Sequence, residues 1–162
     1  MKIIPVKVQN KLASVPCYID DEDYFVLKNK KWCLGGGGKV YAQTNVSNKI
    51  LEIKNSCVLM HNIILWCPKK YEIDHKDGEP LNNQKSNLRI CTRSQNQMNK
   101  SKHKDNISGF KGVRKVKNKE KWTAQISKDK KIYYLGSFNS PEAASEAFKN
   151  AAMEMHGEYA KF

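Results

Sequence analysis

The chain has 162 residues, a length that usually forms one or two compact domains. It carries 29 Lys and Arg residues against 16 Asp and Glu, which gives a formal net charge of +13. This excess favours a polyanionic partner, because each phosphate that a basic side chain neutralises releases condensed counterions. No apolar run approaches membrane-spanning length, and the first residues lack the apolar core of a signal peptide. We therefore expect an intracellular, cytoplasmic protein without a membrane partner.

Five cysteines are scattered along the chain and form no Cys-x-x-Cys pair. Structural zinc sites normally use closely spaced ligand pairs, and an odd number of dispersed cysteines argues against a disulfide framework. The sequence therefore predicts buried, reduced thiols and makes structural zinc unlikely.

Composition and pattern divide the chain into four predicted segments. They are a strand-rich region over residues 1–58, a segment dense in His, Asp and Asn over 59–100, a basic linker over 101–107, and strands followed by one helix over 108–162.

The first region contains two local signals. Acidic residues 21–23 precede apolar residues 24–27 and predict the start of a capped helix. Residues 32–34 and 40–42 predict a hairpin with a tip formed by the glycine run 35–38. That run lacks the following Lys-Ser/Thr of a phosphate-binding loop, so we interpret it as a turn.

The second segment predicts a strand, a loop, a second strand and a short helix. The first strand ends at His75, Asp77-Gly78 is a turn signal, and residues 87–92 alternate as the second strand. Ser94 is then the expected N-cap of a helix that carries Asn96 and Asn99. Polar groups of these elements are able to converge.

This order of residues resembles the ββα-metal site of HNH endonucleases, in the H-N-N form of phage and intron-encoded nicking and homing enzymes. The resemblance implies that His75 is the general base, that Asp74 and Asn96 bind one divalent ion, and that Asn87 fixes the loop and helps to orient His75. Asn82 or Asn83 remains an alternative to Asn87, and Asn99 an alternative to Asn96.

The chemistry of these side chains is consistent with phosphodiester hydrolysis. An imidazole titrates close enough to neutral pH to take a proton from the attacking water. Carboxylate and amide oxygens suit Mg²⁺ or Mn²⁺, and such an ion neutralises charge on the leaving oxygen. The resemblance implies products with a 5′-phosphate and a 3′-hydroxyl. For His61, which precedes this segment, we expect a mainly structural role.

The last segment predicts a three-stranded antiparallel sheet and a helix. The β-rich runs cover residues 109–114, 121–126 and 132–138, and the helix begins with N-cap Ser140 and Pro141 and closes at Gly157. Nearly all of residues 108–162 resemble the AP-two/ERF DNA-binding domain, which inserts its sheet into the major groove. The resemblance implies DNA contacts from five residues, of which Trp122 is either a contact or part of the core: Lys111, Arg114, Trp122, Gln125 and Tyr134.

We therefore predict an α+β protein with a strand-rich N-terminal region, a central ββα-metal nuclease core and a C-terminal DNA-binding module. Its predicted function is metal-dependent cleavage of double-stranded DNA, in the manner of a phage homing-type or free-standing HNH nuclease acting in a bacterial host. The alternative is a DNA-binding regulator with an inactive nuclease core. We expect a monomer with one Mg²⁺ or Mn²⁺ ion and no small-molecule cofactor.

Overall fold

The computed structural model describes residues 1–8, 12–35, 40–48, 53–102 and 105–162. The chain forms two compact units, Met1–Ile90 and Cys91–Phe162. Both mix strands with short helices, so the predicted α+β class is confirmed. The division between the units falls inside the segment that the sequence assigns to the nuclease core. The predicted domain boundaries stay predictions.

The first unit is built on a five-stranded sheet in the order β2-β1-β3-β4-β5. β1 and β2 form an antiparallel hairpin, β1 and β3 are parallel, and the remaining neighbours are antiparallel. The strands are β1 (Lys2–Lys7), β2 (Ser14–Ile19), β3 (Cys33–Gly35), β4 (Tyr41–Asn48) and β5 (Ile53–Leu59).

Alternating residues of this sheet build the core of the first unit. Ile4 and Val6 of β1 are buried beside Cys17 and Ile19 of β2, while their sequence neighbours on β1 are exposed. This is the pattern of a sheet with one covered face. The cluster is completed by Leu27, Trp32, Ala42 and Met60.

The helix and the hairpin predicted in this region are both present, but the expected cap of the helix was wrong, because no side chain caps its start. A 3₁₀ turn (Asp21–Asp23) leads into α1 (Tyr24–Leu27), and β3 and β4 pair as the predicted hairpin. Asp20 precedes the turn without capping it; its carboxylate instead accepts hydrogen bonds from Gln84 and from the Lys85 backbone amide. The hairpin tip at residues 36–38 lies outside the described residues.

After β5 the chain enters α2 (Met60–Ile64) directly, and then a two-stranded sheet of β6 (Glu72–His75) and β7 (Leu88–Cys91). The predicted strand that ends at His75 is confirmed. The turn signal at Asp77-Gly78 is confirmed as well, since Gly78 has φ 83° and its amide donates to the His75 carbonyl at 2.9 Å.

The second unit begins with α3 (Arg93–Met98). The expectation of an N-cap at Ser94 was wrong, because the helix starts one residue earlier and Thr92 caps it. The Thr92 hydroxyl accepts from the Gln95 amide at 3.2 Å, and the Gln95 side chain accepts from the Thr92 amide at 2.8 Å. This reciprocal capping box satisfies two amide groups that the helix itself leaves without partners.

A three-stranded antiparallel sheet in the order β10-β9-β8 packs on one helix, as predicted. Ser140 caps that helix, Pro141 opens it and Gly157 ends it. The apolar faces meet in one core cluster around Phe148. The elements are β8 (Val113–Lys115), β9 (Trp122–Lys128), β10 (Lys131–Phe138), α4 (Pro141–His156) and a final 3₁₀ turn (Gly157–Tyr159).

The turn between β9 and β10 is unusual in its residues. Lys128 pairs with Lys131, so Asp129 and Lys130 form a two-residue loop. Both have positive φ angles, 50° and 64°. This left-handed conformation suits the twist of a hairpin but favours Asn and Gly over other residues.

The five cysteine thiols are free. Cys17 and Cys91 are buried as predicted, but Cys57 is exposed because it lies on the edge strand β5. No helix among the described residues is both long and apolar enough to cross a membrane.

Gly112 provides a test of the packing in the second unit. It has φ 72°, and an added Cβ would lie 2.2 Å from the Phe148 ring and 2.7 Å from the Gln125 carbonyl oxygen. We expect Gly112→Ala to lower the free energy of unfolding by roughly 2–4 kcal/mol, from left-handed strain plus overpacking. Urea unfolding followed by Trp fluorescence measures this loss.

Gly109→Ala is the matched control, since Gly109 has φ 78° but an added Cβ would meet nothing within 4 Å. Only the strain of about 1–2 kcal/mol applies there. Equal losses for the two variants would show that the close approach of Gly112 to Phe148 is unimportant.

Candidate active site

Asn87 holds the loop between β6 and β7. Its side-chain oxygen accepts from the Asp77 amide at 3.1 Å, and its side-chain nitrogen donates to Asp77 Oδ1 at 2.9 Å and to the Asn82 carbonyl at 2.8 Å. The Asn87 carbonyl also accepts from the Lys76 amide at 2.9 Å. The buried side chain of Asn87, at the end of the loop, is therefore bonded to Asp77 at the start of the loop and to Asn82 in its middle.

Asp77 is the acceptor at the centre of this loop. Partial burial acts to raise the pKa of its carboxyl, but hydrogen bonds from the Glu79 amide, Asn82 and Asn87 outweigh it, and the pKa is lowered. The Asn82 amide donates to Asp77 Oδ2 at 2.7 Å. The loop is thus built around an ionised carboxylate with several donors.

Asp74 lies buried at the end of β6, next to His75. Arg89 on β7 approaches its Oδ2 with two nitrogens, Nε at 2.9 Å and a terminal nitrogen at 2.8 Å. Both side chains are more than nine-tenths buried. Because a desolvated charge requires a partner, the Arg89 guanidinium stabilises the carboxylate form and fixes its orientation.

His75 is buried, and Asn83 is its neighbour in the loop. The distance from His75 Nε2 to Asn83 Oδ1 is 3.2 Å. Asn83 is itself only 1 % exposed, although it belongs to a loop. A fully buried polar side chain beside a histidine ring restricts how that ring can turn.

Two further rings surround His75. The His61 ring of α2 meets it edge-on with centroids 5.2 Å apart, and the Tyr41 ring of β4 lies 5.9 Å from it. Tyr41 and His61 are also in edge-on contact at 5.4 Å. Burial, followed by the charge of His75, lowers the pKa of His61 to about 4, so His61 is neutral near pH 7.

Asn96 and Asn99 belong to the second unit. Asn96 is half-buried on α3, and Asn99 is the buried C-cap of that helix. The structure brings Asp74, His75 and the loop held by Asn87 together within the first unit. The assignment of a metal ligand to Asn96 stays a prediction.

Comparison with known proteins identifies the segment that contains these residues. The sequence profile of the HNH endonuclease family matches residues 66–98, which include β6, the loop, β7 and α3. The chain is 35% identical to protein 3.8 of Escherichia phage T7 over 95 residues, covering 59% of this chain and 78% of the phage protein. The chain belongs to one family with this phage protein and carries an HNH endonuclease domain.

A second relative matches most of the chain. It is an uncharacterized HNH endonuclease, L560, of Acanthamoeba polyphaga mimivirus, 27% identical over 143 residues. The match covers 88% of this chain and 72% of the mimivirus protein. It extends well beyond the HNH domain.

HNH nucleases generally use a divalent metal ion, and the chemistry of the donors here decides which kind fits. Among the described residues, no three His, Cys, Asp or Glu side chains cluster as a metal site. The HNH domain supplies instead the buried Asp74 carboxylate, with one oxygen held by Arg89, and asparagine amides. Such oxygen donors fit a hard divalent cation with water ligands, whereas zinc prefers nitrogen and sulfur. The identity of the ion as Mg²⁺ or Mn²⁺ stays a prediction.

In the second unit, strand pairing sorts the predicted DNA contacts onto two faces. Arg114 is paired with Thr123, and Tyr134 with Gln125, so these side chains share the face opposite α4. Tyr134 is 65 % exposed, and Leu135 beside it packs against the core cluster. The bulge after Tyr134 shifts the register, so that Phe138 pairs with Trp122 and also packs against the core cluster. Trp122 lies on the inner face and packs against the core cluster.

Lys111 occupies a different environment from the other predicted contacts. Its ammonium donates to the Met98 carbonyl at the end of α3, at 2.6 Å, and to the Lys161 carbonyl at 3.0 Å. Burial, followed by the charge of Lys161, lowers the pKa of Lys111 to about 8. Its position favours a role in joining α3 to the C-terminal segment, and a DNA contact there stays a prediction.

Sequence reasoning assigned no role to Arg89 or Tyr41. Arg89 had a usable signal, since it follows Asn87 by two residues on a strand expected to pair with the one that carries Asp74. Tyr41 had none, because its contact with His75 joins elements distant in sequence.

The low pKa of His61 predicts a pH dependence of stability. The pKa is about 4 in the folded protein against an ordinary 6.5, so the unfolded chain binds the extra proton within this interval. The stability is fully present above pH 6.5 and falls as the pH drops toward 4, by about 3 kcal/mol in total. Urea unfolding at pH 7.0 and at pH 4.5 measures it.

The variant His61→Gln removes the titrating group and is expected to lose less stability over the same pH interval. An identical loss in both proteins would show that His61 is not the group responsible.

Proposed function

We propose that the protein is a metal-dependent endonuclease that hydrolyses phosphodiester bonds of double-stranded DNA. The observation that carries this proposal is the buried His75 directly beside the Arg89-bound Asp74, inside the segment matched by the HNH endonuclease profile. In this proposal His75 is the general base, and Asp74 and Asn96 hold one Mg²⁺ or Mn²⁺ ion.

In this proposal, the active-site residues have separate roles. His75 takes the proton of the attacking water, for which a neutral imidazole is suited. Arg89 fixes Asp74, and Asn87 keeps the loop in the shape that holds His75. When bound, the divalent ion supplies positive charge that stabilises the leaving 3′ oxygen. The expected products carry a 5′-phosphate and a 3′-hydroxyl.

We propose that the second unit binds the DNA, as the resemblance to AP-two/ERF domains implies. The outer face of its sheet presents Arg114, Gln125 and Tyr134 together, with lysines in the adjoining turns. Side chains of this kind can read base edges while the lysines bind phosphates. Tethering such a surface to a nuclease domain raises the local concentration of DNA.

The two relatives belong to a phage and a mimivirus, which supports the proposal of a virus-encoded enzyme. The proposal further takes it to be of the homing or free-standing type and to act inside the infected host. An inactive regulator is less consistent with the sequence, since Asp74, His75, Asn87 and Asn96 are all present.

Cleavage of supercoiled plasmid DNA tests the proposal. The wild-type protein is expected to convert it to open-circle or linear DNA with Mg²⁺ or Mn²⁺, and EDTA is expected to stop the reaction. His75→Ala removes the general base and is expected to lower the rate by about 10²–10⁴-fold. Which plasmid form accumulates separates nicking from double-strand cleavage.

DNA affinity, measured by fluorescence anisotropy, separates a loss of catalysis from a loss of the fold. His75→Ala is expected to bind DNA as tightly as the wild type. Loss of affinity and of cleavage together would show that His75 supports the fold. Metal-dependent cleavage that survives in the variant would exclude His75 as the base.

The salt dependence of DNA affinity tests which basic residues of the second unit, Arg114 or Lys111, contact phosphate. Arg114 is exposed on the outer face, so Arg114→Ala is expected to reduce the slope of log affinity against log salt concentration by about 1. Lys111→Met should leave the slope unchanged, because the ammonium of Lys111 is engaged with backbone carbonyls. A smaller slope for Lys111→Met would place a phosphate contact at Lys111.

A further inference from the structure

We propose that Asn83 orients His75 and selects its tautomer, and that strand β2 of the N-terminal sheet holds Asn83 in the position this requires. The inference deepens the proposed function and rests on it for the role of His75. It assigns Asn83 as a positioning residue and gives the strand-rich region a part in the reaction.

The first step is the orientation of the Asn83 amide. Its nitrogen donates to Cys17 Sγ at 3.1 Å and lies 3.5 Å from the Pro80 carbonyl oxygen. A reversed amide would set its oxygen against that carbonyl, and two acceptors repel. The oxygen of Asn83 therefore faces His75, and the nitrogen faces Cys17 and Pro80.

The tautomer of His75 follows from this orientation. An amide oxygen only accepts hydrogen bonds, so the contact of 3.2 Å requires His75 Nε2 to carry the hydrogen. Nδ1 is then the ring nitrogen with the lone pair. The hydrogen bond at one ring nitrogen thus decides which nitrogen can act as the base.

The next step is the support of Asn83 by β2. The Asn83 amide donates to the Tyr18 carbonyl at 2.8 Å, and the Tyr18 amide donates to the Leu81 carbonyl at 2.8 Å. Through this bridge, loop residues 81–83 extend the edge of the N-terminal sheet beside β2. Both the backbone and the side chain of Asn83 are therefore fixed from outside the loop.

Cys17 is suited to receive the Asn83 amide because its thiol stays protonated. Burial raises the pKa of Cys17 to about 11, against a smaller opposite effect of the Asn83 hydrogen bond. The thiol hydrogen is directed to Met60 Sδ at 3.4 Å. A lone pair on the sulfur is then available to Asn83, with no charge buried beneath His75.

Asn87, the residue first expected to orient His75, is engaged by the loop at both ends of its amide. The two asparagines therefore have separate roles, since Asn87 shapes the loop and Asn83 sets the ring of the base.

Three variants test this assignment. Asn83→Leu has a similar volume and no acceptor, Asn83→Asp keeps an acceptor oxygen, and Cys17→Val removes the acceptor for the Asn83 nitrogen. The His75 tautomer is read from two-bond ¹H–¹⁵N spectra of the histidine rings at pH 8. The His75 signals are assigned by their absence in His75→Ala.

In the wild type, we expect His75 to carry its hydrogen on Nε2. Asn83→Leu should give a mixture of tautomers and a single-turnover cleavage rate about 10–100-fold lower, as for other residues that orient an active-site histidine. DNA affinity should not change. Asn83→Asp should keep the hydrogen on Nε2, because an acceptor oxygen still faces His75, but its second oxygen faces the Pro80 carbonyl and the rate should fall. Cys17→Val keeps the acceptor oxygen of Asn83 and should lose less of the rate than Asn83→Leu.

A wild-type His75 with its hydrogen on Nδ1 would overturn the proposal, and this measurement requires no variant to fold. An Asn83→Leu protein with an unchanged tautomer and rate would overturn it as well. If the tautomers behave as expected but the wild type cleaves no DNA under any metal condition, the orientation by Asn83 stands and the proposed function fails.

Discussion

Hydrogen bonds from asparagine side chains hold the loop between β6 and β7 in shape, and the arrangement of the active site depends on them. Asn87 and Asp77 bind each other in both directions, and Asn83 anchors the loop to β2. An amide side chain can donate and accept at once, so it bridges backbone segments as no carboxylate or ammonium does. When such groups are buried, losing one partner leaves another unsatisfied, and the loop is therefore stiff.

The two units contribute different kinds of surface. The first encloses His75 between aromatic rings and the Asn83 amide. The second is a thin sheet on one helix, with an outer face that mixes an arginine, an amide and a tyrosine. In the proposed function, the first provides the reacting side chain and the second binds the DNA.

Much of this fold could be predicted from local signals. The strand that ends at His75, the turn at Gly78 and the helix opened by Ser140 and Pro141 depend on neighbouring residues alone. The cap of α3 was misplaced because Thr92 and Ser94 are both good capping residues. Each stands three residues before a glutamine, Gln95 and Gln97 respectively, so the capping-box spacing does not separate them. In the structure it is Gln95 that returns a hydrogen bond, to Thr92.

The sequence could not predict which asparagine orients the active-site side chains, and the reason is physical. The order of Asp, His and Asn residues indicates the chemistry, but five asparagines lie between positions 82 and 99 and their spacing does not rank them. What separates Asn83 from Asn82 is the position of β2, more than sixty residues earlier in the chain. Cys17 and Tyr41 reach the site only through the packing of the sheet, which no local pattern encodes.

The hairpin between β9 and β10 is closed by two charged residues in the left-handed conformation. Asp129 and Lys130 adopt a backbone that glycine would enter without steric cost. Because Lys130 occupies the second position of the loop, the turn is less stable than one formed by an Asn-Gly sequence. An Asn-Gly replacement made for thermostability would remove one anion and one cation from the edge of the sheet. It would therefore leave the net charge unchanged and alter only the local pattern of charge.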